Sequence, residues 1–271
     1  MNTEKFRDVF PDPKPIIGMI HVQALPGTPR SSLNVSQIAE QACREAEVLV
    51  KGGVQAIMIE NMHDVPYLNR QVGPEVIAAM TQVASELRAL TNLPLGIQIL
   101  AGANQAALAV AQAADLQFIR AEGFVFGHIA DEGYMDADAG ELLRYRKQIA
   151  GENIQVFTDV KKKHSSHAVT SDVSLAETID AAEFFLSDGV IVTGSATGSA
   201  VDHTELVSAY ETAKLPVLVG SGVTPEGLEA IFPHADAFIV GSYFKKNGVW
   251  TNPPNLERLD KLSSARQLLL S

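Results

Sequence analysis

The chain of 271 residues carries 46% hydrophobic and 20% charged side chains, a balance that builds a buried core and excludes a disordered chain. A formal net charge of −11 argues against nucleic acid or an anionic lipid surface as a bulk partner, and leaves room for a small anionic ligand held by local donors. A single cysteine, Cys43, excludes an intramolecular disulfide framework, and no run reaches the ~18 apolar residues that span a bilayer. Residues 1–14, charged and proline-bearing, read as an N-terminal extension without the apolar stretch of a secretory signal. Cytoplasmic residence is the simplest expectation.

From Pro15 the chain alternates between strand-like and helix-like patterns. PIIGMIHV, ending near His21, is followed by IAEQACREAEVLVKGG, whose helical periodicity places Cys43 on the apolar face. Asn34-x-x-Gln37 has the form of a capping box ahead of that helix, and Gly52-Gly53 stops it. VQAIMIEN from Val54 precedes PEVIAAMTQVASELRAL, and PLGIQIL follows from Pro94. QFIRAEGFVF from Gln117 is the fourth strand-like run; Asp138-x-x-Glu141 then predicts another capped helix. IQVFTDV from Ile154, GVIVTGS from Gly189, PVLVGSG from Pro216 and AFIVGSY from Ala237 complete the series. Asp202-x-x-Glu205 and Thr224-Pro225 supply further helix starts.

Eight strands alternating with helices predict a single-domain (β/α)8 TIM barrel over 1–271. A doubly wound sheet is the alternative, but no G-x-G-x-x-G follows the first strand. Residues two apart on a strand share a face, and barrel active sites lie at the C-terminal ends of strands. That parity brings His21, Glu60, Gln98, Arg120, Glu122, Asp159, Lys161 and Thr193 to one end of the barrel. Buried without partners such charges are costly, so they pair with each other or with a ligand. Glu60, Glu122 and Asp159 are candidate acids and bases, Arg120 and Lys161 candidate anion stabilisers, and His21 a candidate proton shuttle. Lys161 is also read as a candidate Schiff-base nucleophile.

The last three strands run into small-residue turns: Gly194-Ser195-Ala196-Thr197-Gly198, Gly220-Ser221-Gly222 and Gly241-Ser242. Barrels bind phosphate at such loops, where glycine lets backbone N–H groups approach an anion. Ser195, Thr197, Gly198, Gly220, Ser221, Gly222, Gly241 and Ser242 therefore form the candidate phosphate site, with the Ser221 hydroxyl as a donor and Lys245 or Lys246 as added charge. Tight βα turns also want glycine for purely structural reasons. His164 and His167, with Asp159, offer a weak divalent-metal constellation on a polar loop, 162–172, that has the length of a lid. No cofactor is firmly implied.

IGMIHVQALPG, IENMHDVPY, ELLRYRKQI, IVTGSATG, VGSGVTPEG and IVGSYFKKNG, in this order, resemble the BtpA/SgcQ family of TIM-barrel proteins. The resemblance implies a barrel across nearly the whole chain. It links the chain to photosystem I biogenesis through a thylakoid-associated member, and to enzymes of carbohydrate or nucleoside metabolism through others. One departure falls after the fifth strand, where a D-x-H-x-K-H pattern reads Asp159-Val-Lys161-Lys-Lys163-His164. The expectation is an enzyme, an isomerase, lyase or hydrolase, acting on a phosphorylated sugar or nucleoside-like substrate. The alternative is a non-catalytic assembly factor with peripheral membrane association. Homo-oligomerisation stays open.

Overall fold

Short apolar runs joined by amphipathic helices bury themselves best as a parallel sheet covered by helices, and when the sheet closes on itself no edge remains. The computed structural model describes residues 2–194 and 198–271. In chain order the elements are α1 (Asn2–Val9), β1 (Ile16–His21), α2 (Val35–Lys51), β2 (Ala56–Glu60), α3 (Pro74–Leu90), β3 (Leu95–Gln98), α4 (Asn104–Ala113) and β4 (Phe118–Ala121). They continue through β5 (His128–Ala130), β6 (Gly133–Met135), α5 (Ala139–Gln148), β7 (Gln155–Asp159), β8 (Ser165–Ser166), α6 (Leu175–Phe184), β9 (Gly189–Val192) and α7 (His203–Thr212). β10 (Val217–Val219), α8 (Pro225–Ile231), β11 (Ala237–Val240) and α9 (Leu256–Leu270) complete the chain.

The barrel is closed, in the order β1-β11-β10-β9-β7-β4-β3-β2, with neighbouring strands parallel. This is the TIM barrel that the alternation predicts, and its eight strands are the eight apolar runs. Alternation sorts each strand's side chains into two cores. Outward residues such as Ile16, Ile20, Ile57, Ile119 and Val156 pack under the helices. Inward residues such as Ile17, Met19, Met58, Phe118, Phe157 and Leu218 fill the interior. Gly96 makes room for that filling: a Cβ there would sit 2.1 Å from the Phe118 ring.

Residues 2–14 are more than an extension. Helix α1 lies across the N-terminal end of the barrel and drives Phe6 and Phe10 into the interior core. The Phe10 ring stands 5.4 Å from Phe118 and 6.1 Å from Phe157, so three elements share one aromatic cluster that floors the barrel. At the opposite end a small antiparallel sheet, β6-β5-β8, joins the loop after β4 to the loop after β7.

The Asn34–Gln37 capping box opens α2 as expected, and a second box at Ser174–Glu177 opens α6. Thr224 and Asp202 cap α8 and α7 through their side chains. Asp138 does not cap α5, because its carboxylate is drawn instead to Arg70 at 2.7 Å and to Asn104. Among the described residues no helix is long and apolar enough to cross a membrane.

Phe10→Ala should destabilise the protein by about 3–5 kcal/mol, the cost of emptying an aromatic site in a packed core. Phe184→Ser, at a side chain 82% exposed, should leave denaturant unfolding nearly unchanged.

Candidate functional site

The inward parity that fills the interior with apolar side chains continues to the C-terminal ends of the strands, where polar groups surround a cavity of about 500 Å³. Around the closed barrel these groups fall into three sectors. Strands β4 and β7 bring ion pairs, β1 to β3 bring uncharged or unpaired polar groups, and the turns after β9 to β11 bring glycine and serine.

The ion pairs are buried and geometrically complete. Arg120 donates from Nε and Nη2 to both oxygens of Asp159 at 2.9–3.2 Å, and both side chains are almost wholly buried. Glu122 accepts from Lys162 Nζ at 2.9 Å and from Gln98 Nε2 at 3.0 Å. Its backbone is clamped as well, since Asn104 accepts from the Glu122 N–H and donates to the Glu122 carbonyl. Burial pushes the Glu122 carboxyl up, but Lys162, backed by Arg120 and His128, more than offsets this and holds it below the ordinary carboxylate range.

Glu60 differs. It stands at the end of β2 facing the same cavity, yet among the described residues its carboxylate accepts no hydrogen bond and joins no ion pair. Burial raises its pKa, and the more distant charges of Arg120 and Lys163 do not cancel that rise. Lys163 is its complement: burial, then the neighbouring guanidinium of Arg120, lower the ammonium's pKa. One acid held above its ordinary range and one base held below it thus face a shared cavity without a direct partner among the described residues, an arrangement suited to moving a proton.

His21 is fixed in one state. Its Nδ1 lies 3.0 Å from the Trp250 carbonyl, which can only accept, so Nδ1 carries the proton. Burial lowers its pKa to about 3, with Lys245 adding to the effect. It is therefore a neutral imidazole across the physiological range, and not the proton shuttle that its type suggests.

The turn residues Gly198, Gly220, Ser221, Gly222, Gly241 and Ser242 all border the cavity. Their chemistry is narrower than expected. The Ser221 hydroxyl accepts from the Gly194 N–H at 2.7 Å and donates to the Ser199 carbonyl at 3.1 Å, so it is spent on holding the two loops together. Gly222 has φ +68, and a Cβ there would meet the Ala200 backbone at 2.3 Å; loop packing alone demands glycine at this position. Ser195 and Thr197 lie outside the described residues.

Lys161 does not join the site. β7 ends at Asp159 and Lys161 has φ +49, so the alternation breaks and its Nζ donates to the Val173 carbonyl at 2.5 Å. Lys162 and Lys163 occupy the mouth in its place; their signal was the unbroken Lys161–Lys163 run. Lys245 is likewise withdrawn from the turns, being 1% exposed and paired with Glu45 of α2, while Lys246 is exposed. His164 borders the cavity, whereas His167 donates from Nε2 to the Lys162 carbonyl at 2.9 Å beside His128. Among the described residues no group of three or more His, Cys, Asp or Glu is placed to hold a metal ion. Tyr67, Asp131 and Glu132 also line the cavity without any sequence signal having singled them out.

A model of the BtpA family matches residues 12–267. The chain belongs to the BtpA family. Within it, the chain is 49% identical over 255 residues to an uncharacterised mitochondrial protein of Caenorhabditis elegans, covering 91% of this chain and 90% of that one. It is 35% identical to the photosystem I biogenesis protein BtpA of Synechocystis, covering 88% and 83%. Among solved structures, thiamine phosphate pyrophosphorylase from Pyrococcus furiosus superposes with a TM-score of 0.58 at 15% identity, over 98% of this chain and 100% of that one. That likeness places this BtpA-family chain among TIM barrels by fold.

Two expectations test the electrostatics. Arg120→Met alone should cost about 3–5 kcal/mol in chemical denaturation, because it strands a buried carboxylate, and adding Asp159→Leu should recover much of the loss. Glu60 binds its proton more tightly in the folded than in the unfolded chain. Its contribution to stability is therefore present below the ordinary carboxylate range and lost as pH rises through the raised value. Glu60→Gln should accordingly have the higher Tm at pH 8 and no advantage at pH 4.

Proposed function

We propose that the chain is an enzyme that binds a phosphorylated sugar or nucleoside-like molecule at the barrel mouth and moves a proton on it. The observation that carries this reading is Glu60 at the end of β2. Cations neutralise Asp159 and Glu122, the other two carboxylates that the inner strand faces bring to this end, within hydrogen-bond distance, while Glu60 borders the cavity with no such partner among the described residues. Leaving it so costs stability, and a group kept at such a cost is a candidate for chemistry.

In this reading Glu60 takes a proton from the ligand and Lys163 gives one back, or the reverse. Arg120 uses Nε and Nη2 on Asp159, which leaves Nη1 to stabilise negative charge that develops during the transfer. Asp159 and Glu122 are then positioning groups that hold Arg120 and Lys162 in place. The phosphate is assigned to the cradle of Gly220, Gly222, Gly241 and Ser242, through backbone N–H groups and without the Ser221 hydroxyl. The likeness to a thiamine phosphate enzyme agrees with this assignment at the level of fold. Such a set of groups serves an isomerase, a lyase or a hydrolase.

A second reading draws on a different surface. At the end of α6, Phe184, Phe185 and Leu186 are 82%, 47% and 68% exposed in succession, an apolar patch suited to docking. The name of the Synechocystis relative, a photosystem I biogenesis protein, fits an assembly factor that uses such a patch. Phe184→Ser with Leu186→Ser would abolish partner capture and leave ligand binding intact if this reading holds.

Thermal unfolding against phosphorylated sugars, nucleotides and their unphosphorylated counterparts separates the two. A ligand at a hundred times its Kd adds about 2.7 kcal/mol of stability. The enzyme reading expects a phosphate-dependent rise in Tm that is lost in Ser242→Asp and kept in Glu60→Gln, with turnover lost in Glu60→Gln. Ser242 is preferred to Gly222 for this test because any side chain at Gly222 collides with Ala200. No shift with any phosphorylated compound would overturn it.

A further inference from the structure

Strand pairing sets three side chains of the mouth in a line. His21 of β1 is the register partner of Glu60 of β2, and Glu60 is the register partner of Gln98 of β3. Register partners on parallel strands point the same way and stand about 4.8 Å apart, and all three border the cavity. Their hydrogen-bonding state follows from what each already touches.

Gln98 turns its amide nitrogen to Glu122 at 3.0 Å. An ionised carboxylate only accepts, so that group must be the NH2, and the amide oxygen is left for another donor. Gln98 is 2% exposed and its Oε1 is buried with no partner among the described residues. His21 is settled by the same logic: the Trp250 carbonyl takes the Nδ1 proton and leaves a bare lone pair on Nε2. That nitrogen lies against the turn after β11, 3.1 Å from where a Cβ on Gly241 would stand. Glu60, between them, accepts no hydrogen bond among the described residues.

We infer that His21, Glu60 and Gln98 form a row of hydrogen-bond acceptors that selects a ligand rich in hydroxyl donors, a sugar or polyol portion lying along β1 to β3. The inference rests on the ligand site of the proposed function and adds which part of the molecule each side of the mouth reads. The anionic end belongs to the glycine turns after β10 and β11, and the hydroxylated end to the row that begins next door at His21. An unpartnered buried acceptor costs free energy until a donor meets it, so a ligand lacking the hydroxyls leaves that cost in place. Glu60 sits in the middle of the row. It is thereby aimed at a carbon-bound hydroxyl, or the carbon bearing it, with His21 and Gln98 holding the hydroxyls on either side.

Two measurements test this. Long-range 1H–15N correlation of the histidine rings at pH 7 should show His21 with a protonated Nδ1 and a bare Nε2. A ring protonated on Nε2 overturns the row before any ligand is added. Calorimetry then compares D-ribose 5-phosphate, methyl phosphate and D-ribose on the wild type, Gln98→Met and His21→Phe. The expected result is ribose phosphate binding at least about tenfold tighter than methyl phosphate, with that preference reduced in both variants and methyl phosphate affinity unchanged. Equal affinity for the two phosphates overturns the row while the phosphate reading stands. Binding of D-ribose that is weakened in Gln98→Met, with no contribution from phosphate, keeps the row and overturns the phosphate site. Absence of binding by all three overturns both.

Discussion

A charge inside a parallel barrel has nowhere to solvate itself. The β-strands that carry it are covered by helices on one side and by packed side chains on the other, so an ionised group at the mouth is costly unless it is neutralised where it stands. Arg120 and Asp159 do this across the β4–β7 pair, and Glu122 and Lys162 do it between the end of β4 and the loop after β7. Asn104, Gln98, Arg70 and Asp138 are tied into the same web, and Arg70 alone reaches the carbonyls of Gly102, Gly123 and Asp136. The loops that shape the cavity are held by these bonds. Glu60 stands out because Glu122 and Asp159 beside it are both paired with cations.

The same web explains the division of labour around the mouth. The half that is rich in ion pairs is rigid, since moving any one member would leave another buried and unpaired. The half built from the turns after β9 to β11 interlocks through backbone contacts, with Ser221 bridging Gly194 and Ser199 and with Gly222 pressed on Ala200. Between them lie His21, Glu60 and Gln98; the His21 Nε2, the Glu60 carboxylate and the Gln98 Oε1 accept no hydrogen bond among the described residues. Under the proposed function, such a fixed frame with a small set of prepared contacts would lower the ordering cost of binding.

Most of this was legible in the sequence through one rule, the two-residue repeat of a strand. Counting by twos placed Arg120 with Glu122, set Asp159 on the inner face, and brought His21, Glu60 and Gln98 to the same end. The rule failed where the strand did. β7 stops at Asp159, the chain takes a left-handed turn at Lys161, and counting on to Lys161 selected the wrong lysine. It also failed in QFIRAEGFVF, which reads as one strand; the chain leaves the barrel at Glu122 and turns at Gly123, with φ +59, before forming β5 and β6. Lys245 and Asp138 misled for another reason. Both looked local, one an anion clamp beside a glycine turn and the other a helix cap. Their real partners, Glu45 and Arg70, lie 200 and 68 residues away, a distance that no local pattern spans.

The aromatic floor has a bearing on how the chain assembles. The seat for Phe6 and Phe10 is made of Ile17, Phe118, Phe157, Leu218 and Ala237, contributed by strands from one end of the chain to the other. That seat does not exist until β11 has closed against β1. Helix α1 therefore leaves the ribosome ahead of every strand it packs on, and its two rings wait exposed while the rest is made. Of the elements that share this cluster, the one translated earliest is seated last.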